Sequence, residues 1–229
     1  MTAFSLKLIA MLAMLTDHVG MVLFPDQIWL RCVGRLAFPI FAFQIAEGYQ
    51  KTHDKTKYAL RLFLFALLSE IPFDLMISGQ PFFWGKQNVL WTFLLGLFII
   101  HITSEIHAHM REPIVRLTAI FCAALLSFSA AQLLHSDYGG LGVLMVFLFY
   151  VLRNRDRGIQ TLFILTVNYL IGGAGISIWG AEFPMQLLGT AAMLPICLYK
   201  GEHGPHGKVW TWFCYAFYPL HLIILFSLR

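Results

Sequence analysis

Apolar residues run along this chain in long blocks rather than in the half-buried alternation of a soluble protein. Nine such stretches separate at polar or Gly/Pro punctuation: Ala3–Phe24, Trp29–Gly48, Tyr58–Ile77, Val89–Ile106, Ile114–Leu134, Gly139–Leu152, Ile159–Ile178, Met185–Tyr199 and Trp210–Leu228. A bilayer core takes about 20 apolar residues per helical crossing, so most stretches are long enough to span, while the sixth and eighth are short. Strand-like alternation of apolar and polar residues is missing. The hydrocarbon core admits only helices or closed barrels, so the pattern predicts an all-α transmembrane bundle of about nine spans. Residues 1–229 read as a single domain.

Composition removes the soluble alternative. Of the 229 residues, 59% are hydrophobic and 12% charged, against roughly 45–50% and 25% in soluble domains. With loops this short no separate aqueous domain fits, so any chemistry happens inside or at the rim of the bundle. The first stretch continues through Asp17 and His18 without a small-residue cleavage site, which predicts a first membrane helix rather than a removed leader. Cys32, Cys122, Cys197 and Cys214 are isolated within apolar surroundings and predict neither a disulfide framework nor a metal cage. The net charge of +4 is too small and scattered for a nucleic-acid surface.

The cationic residues orient the chain. Even-numbered connections hold Lys51, Lys55 and Lys57, then Arg111 and Arg116, then Arg153, Arg155 and Arg157, then Lys200 and Lys208; odd connections hold only Lys86. By the positive-inside rule the N-terminus is expected in the cytoplasm and, after nine spans, the C-terminus outside.

Ionisable residues within spans cost at least about 2.5–3.5 kcal/mol at a helix centre, and here they are not scattered. Asp17 and His18 lie about 10 Å before the outer end of the first helix at ~1.5 Å per residue. Arg31 and Arg35, Glu70 and Asp74, Asn88 and Thr92, Asp137 and Tyr138, and Tyr218 and His221 project onto the outer half of the topology. Four of these pairs recur at three- or four-residue spacing and so share a helix face. Each residue alone reads as an interfacial side chain; together they predict an embedded cavity open to the outer side. Adjacent residues point about 100° apart on a helix, so Asp17 is expected to meet Arg31 or Arg35 and leave His18 facing the cavity as a proton acceptor. Pro39, Pro72 and Pro219 each free a backbone carbonyl one turn earlier beside this cluster. On the inner side Lys57, Arg61 and the Gly-rich loop from Lys200 to Lys208 suit phosphate binding; Glu202, His203 and His206 of that loop are too few and too mobile a set to predict a metal.

These residues also carry a resemblance. Thr16-Asp17-His18-Val19-Gly20, Arg31-x-x-Gly34-Arg35-Leu36-Ala37-Phe38-Pro39, Ala46-Glu47-Gly48-Tyr49, Arg61 ahead of Ile71-Pro72-Phe73-Asp74, Asn88-Val89-x-x-Thr92, Asp137-Tyr138-Gly139 and Phe217-Tyr218-Pro219-x-His221 resemble, in order along nearly the whole chain, the signature segments of the TraX family. Tyr199-Lys200-Gly201-Glu202 is similar to a further segment, with Lys200 where Asn is expected. The resemblance implies a multi-pass protein of the bacterial inner membrane, akin to a pilin N-acetyltransferase and to transmembrane acyltransferases that use cytosolic acetyl-CoA. It implies an intramembrane histidine base, which falls on His18 with its neighbour Asp17.

The combined expectation is direct acyl transfer. Acetyl-CoA enters from inside with its phosphates near Arg61, Lys57 and Lys200, and its arm threads between helices. His18 deprotonates an acceptor peptide amine or sugar hydroxyl presented from outside, and Arg35, Asn88 or Tyr218 hydrogen-bonds the carbonyl oxygen. Transfer through an acylated Cys32 is an alternative route. A proton-coupled carrier and a non-catalytic partner of an assembly complex are the rival classes.

Overall fold

The computed structural model describes residues 1–178, 181–205 and 207–229; His206 of the Gly-rich loop lies outside them. The architecture is nearly all helical. The elements are α1 (Ala3–Val22), α2 (Ile28–Gly34), α3 (Ala37–Lys51), α4 (Lys55–Ser78), α5 (Val89–His109), α6 (Pro113–Leu133), α7 (Gly139–Val151) and α8 (Arg157–Ile171). A hairpin of β1 (Gly175–Ile178) and β2 (Ala181–Pro184) follows, then a 3-10 helix (Met185–Ala192), α9 (Met193–Cys197) and α10 (Lys208–Ser227).

Among the described residues, five segments are long and apolar enough to cross a membrane: Ala3–Val22, Ile28–Lys51, Val89–His109, Pro113–Leu133 and Val209–Ser227. The other four expected crossings fall on α4, α7, α8 and the 3-10/α9 segment. Helix α4 has 24 residues but carries Arg61, Glu70 and Asp74, whereas α7 and α8 have only 13 and 15. Apolar side chains point outward along the bundle, as at Leu117, Phe121 and Leu126 of α6, the expected face for lipid.

Three sequence expectations are corrected. The second stretch is two helices, because Pro39 offers no N–H to the Arg35 carbonyl and the turn opens at Arg35–Leu36. That carbonyl faces Gly189, where an added Cβ would sit 2.8 Å from it. Pro72 and Pro219, in contrast, lie inside unbroken helices. The seventh stretch stops being helical at Ile171, because Gly172 and Gly173 take φ of 76° and 96°, and Ile176 and Ile178 enter an antiparallel strand instead. The eighth is mainly 3-10 helix and does not form one long α-helix.

Helix α3 runs through the centre, with Ile40, Ala42 and Ala46 among its buried residues, packed with α1, α5, α7 and the 3-10 segment. Without water to expel, packing of this kind depends on close approach of small residues. Gly96 admits Val146 and Gly140 admits the Phe128 ring; a Cβ at either would stand within 2.7 Å of them. Helices α4 and α10 pair through Phe73, Met76, Tyr218 and Leu222.

Candidate functional site

Asp17 sits in the penultimate turn of α1, opposite the start of the broken second segment. Gly34 lets the α2 backbone reach it: a Cβ there would stand 2.2 Å from Asp17 Cβ and Oδ1. The Arg31 guanidinium donates from Nη1 to Asp17 Oδ2 at 2.7 Å and to the Asp17 carbonyl at 3.1 Å. Arg35 donates from Nη2 to Asp17 Oδ1 and from Nε to the Arg31 carbonyl at 3.2 Å. One carboxylate thus holds both guanidinium groups, which offsets the cost of carrying the three charges into the bundle. The network continues from Arg35 Nη1 to Gln186 Oε1 at 3.4 Å, from Gln186 Nε2 to Asn168 Oδ1 at 3.1 Å, and from Asn168 Nδ2 to Thr190 Oγ1 at 3.1 Å. Gln186 and Asn168, both buried, are uncharged and so stand outside the costly ionisable set; a polar amide within an apolar stretch is the signal the sequence offers for them.

Beside this network lies a cavity of about 460 Å³. Asp17, His18, Arg31, Arg35, Asp137, Tyr138 and Tyr218 all line it, so the sequence signal converges here from α1, α2, α7 and α10. The backbone of Gly172 and Gly173 and the side chains of Lys86 and Gln186 complete the polar part of the wall. Lys86 Nζ pairs with Asp137 Oδ1 at 2.9 Å, so the lining holds three basic side chains, Arg31, Arg35 and Lys86, against two carboxylates, Asp17 and Asp137. Tyr138 takes φ 64° and stacks on Phe38 with centroids 3.7 Å apart.

The other candidates stand outside the cavity lining. Asn88 caps α5 by accepting from the Leu90 N–H, and its amide donates to the Ala66 carbonyl at 2.8 Å and to Glu70 Oε2. Both amide protons are committed, so Asn88 has no donor left for a substrate carbonyl, contrary to the sequence expectation. Glu70 also accepts from Trp91 Nε1 at 2.7 Å and from the Asn88 backbone N–H at 3.2 Å. Asp74 Oδ2 accepts from the Phe83 N–H at 2.8 Å, fixing the loop that follows α4. Thr92 donates its hydroxyl to the Asp137 carbonyl and lies 3.0 Å from Ser136 Oγ. Glu70, Asp74 and Asn88 clamp the end of α4 to the start of α5 and the loop before it, and Thr92 ties α5 to the segment before α7. His221 stands behind His18, its Nε2 2.7 Å from His18 Nδ1.

At the opposite end of α1 a cavity of about 310 Å³ is lined by Lys7, Glu47, Lys51, Arg61 and Tyr199 among others. Arg61 faces it, with its Nε buried and without a hydrogen-bond partner among the described residues. Lys57 is instead paired with Asp54 at 2.9 Å on the exposed first turn of α4. The Asp54 carboxylate accepts from the Lys57 backbone N–H at 2.8 Å, and that bond holds it below the usual carboxylate range. Lys200 is exposed and its backbone N–H donates to the Met1 carbonyl at 3.0 Å; neither Lys57 nor Lys200 lines this cavity. Tyr199 donates to Glu47 Oε1 at 3.1 Å and accepts from Lys51 at 2.8 Å, joining two of the motifs quoted above.

A narrower cavity of about 150 Å³ lies between the two. It shares Met14, Phe41, Val89, Phe93 and Tyr218 with the His18 cavity, and Lys7, Gln44, Tyr58, Cys214 and Tyr215 with the Arg61 cavity. From Lys7 to His18 the series covers roughly 16 Å along α1 at 1.5 Å per residue. Cys32 is absent from all three linings. Among the described residues no three His, Cys, Asp or Glu side chains gather as a metal-binding group.

Apolar helices wrapped around a charged internal cavity define a helical membrane protein. The family model described as "TraX protein" matches residues 3–229, and the chain belongs to that family. It is 29% identical over 243 residues to a protein of Dichelobacter nodosus described as "Probable fimbrial assembly protein FimC, serogroup H1", an alignment covering all of this chain and 96% of that protein. It is 24% identical over 223 residues to "Protein TraX" of Escherichia coli, covering 96% of this chain and 84% of that one. No solved structure matches the chain.

Proposed function

We propose that this chain is an integral-membrane acyltransferase that moves an acetyl group from cytosolic acetyl-CoA to an amine or hydroxyl in the His18 cavity, with the N-terminus inside and nine crossings of a bacterial inner membrane. The observation that carries the reading is the series of three cavities with shared walls, which gives a donor entering near Arg61 a path to His18. The middle section has largely apolar walls, among them Met11, Ile45, Leu62 and Leu90. They suit an aliphatic thioester arm and oppose the hydrated ion or solute of a carrier, which would lose its water there.

His18 takes a proton from the acceptor amine or hydroxyl as the new C–N or C–O bond forms. It returns that proton to the thiolate released when the C–S bond breaks, so the base is regenerated. Arg35 and Tyr218 face the same cavity, and its excess of one positive charge stabilises the negative charge developing on the carbonyl oxygen. Arg61 and Lys7 hold the donor phosphates at the far end. The acceptor is a pilin N-terminus, a glycan or another small molecule presented from outside, and the description of the Dichelobacter nodosus relative supports a place in pilus assembly.

The test is His18→Gln, which keeps a hydrogen-bonding side chain but cannot titrate. Acetyl transfer is expected to fall on the order of 10²-fold or more, with melting temperature and acetyl-CoA binding retained. Full turnover by this variant on an identified acceptor would overturn the assignment.

A further inference from the structure

We infer that His221 is a positioning residue that fixes the tautomer of His18, so that His18 carries its proton on Nδ1 and presents the lone pair of Nε2 to the cavity. The inference rests on the acyltransferase reading for its catalytic meaning, but its geometry is independent of that reading.

The argument starts at a carbonyl. His221 Nδ1 lies 2.8 Å from the Phe217 carbonyl oxygen one turn earlier on α10. A carbonyl only accepts, so this nitrogen bears the hydrogen. In neutral His221 the other nitrogen, Nε2, is then a bare acceptor. It lies 2.7 Å from His18 Nδ1, which must therefore donate, and a neutral His18 is left with its lone pair on Nε2. The ring arrangement agrees. The two imidazoles are 13° from coplanar with centroids 5.0 Å apart, about the N···N distance plus two ring radii. The rings thus meet edge to edge along one hydrogen bond and do not overlap face to face. His221 is itself held flat on Phe217, at 5.0 Å and 16°, and is buried among the side chains of α10.

The pair has a consequence for the proton. Once His18 is protonated on Nε2, its Nδ1–H still points at a neutral acceptor. The far nitrogen of His221 is tied to a carbonyl that cannot accept a proton onward. The proton taken from the acceptor accordingly stays within the histidine pair, shared across one hydrogen bond, and returns through His18 to the departing thiolate. This is the orienting role of a buried hydrogen-bond partner to a histidine base, filled by a second imidazole 203 residues away in sequence.

A tautomer measurement tests this without reference to activity. In the full detergent-solubilised chain with 15N-labelled histidine, long-range proton–nitrogen correlations, assigned by comparison with His18→Gln and His221→Gln, should show both residues as Nδ1–H tautomers at a pH where they are neutral. An Nε2–H tautomer at His18 overturns the inference. Kinetics supply the second readout. His221→Leu keeps an apolar side chain but no acceptor, and should lower kcat about 10²-fold at unchanged KM for acetyl-CoA. His221→Gln places an amide oxygen near the former Nε2 and should recover most of that loss. A purely packing role predicts the reverse order, with Leu equal to or better than Gln. If His221→Leu fails to fold, the glutamine variant and the tautomer of the unmodified chain still decide. Full activity in His18→Gln would defeat the acyltransferase reading alone, whereas an inactive His18→Gln with an Nε2–H His18 in the parent chain would defeat the positioning role alone.

Discussion

The Asp17 carboxylate depends on a residue with no side chain. Because Gly34 lies where a Cβ would overlap Asp17 Oδ1 at 2.2 Å, even a methyl group must push α2 away from α1 and stretch the Arg31 and Arg35 bonds. Gly34→Ala is expected to destabilise the protein by about 1–3 kcal/mol, read as a lower melting temperature in detergent. An unchanged melting temperature would mean that the two helices part without cost. The spacing of Arg31 and Arg35 placed both on one face, and adjacency excluded an Asp17–His18 pair, so this part of the site was legible from residue positions. The partner of His18 was not, because no local rule links positions 18 and 221.

Within elements, the same spacing rule could not distinguish a cavity wall from a helix clamp. Glu70 and Asn88 satisfy each other across the ends of α4 and α5 and leave little for a substrate. Asn88→Ala removes an N-cap, costing about 1 kcal/mol, and leaves Glu70 short of a donor, costing about 1–3 kcal/mol more. The combined loss should appear as a clear fall in melting temperature, and a neutral result would show that water replaces the amide. Proline behaved in two ways for a related reason. Pro39 breaks its segment where the freed carbonyl finds room against Gly189, while Pro72 and Pro219 stay inside the continuous helices α4 and α10. The missing N–H is a local fact, but whether a turn opens depends on what packs against it.

For the molecule as a whole, the proposed path from Arg61 to His18 predicts that its middle can be blocked. Of the three cavities, Ile45 lines the narrow one and neither end, so Ile45→Trp should leave both end cavities intact and acetyl-CoA still bound near Arg61. Transfer should nevertheless fall by on the order of 10²-fold, because the acyl group no longer reaches the base. Normal turnover would mean that the donor takes another route. The orientation is tested separately: reporter fusions after Asp54, Arg155 and Gly204 should all report cytoplasm, and an outside signal at any of them would remove the inside entry for the donor.

The membrane class, the helical blocks and the list of costly polar residues could be read from the chain alone, because desolvation is paid residue by residue and long apolar runs have few other solutions. The hairpin after Gly172–Gly173 and the clamps at Glu70 and Asp74 emerged only on folding. So did the Gln186–Asn168 link, the series of cavities and the edge-to-edge histidines. Apart from the hairpin, which follows the positive φ of Gly172 and Gly173, each depends on how far a helix rotates about its own axis and which neighbour it meets. That rotation is set by close packing among several helices at once, through glycines such as Gly34 and Gly96 that decide how near two backbones come. Such contacts join positions far apart in the chain, and no window along the sequence contains both partners.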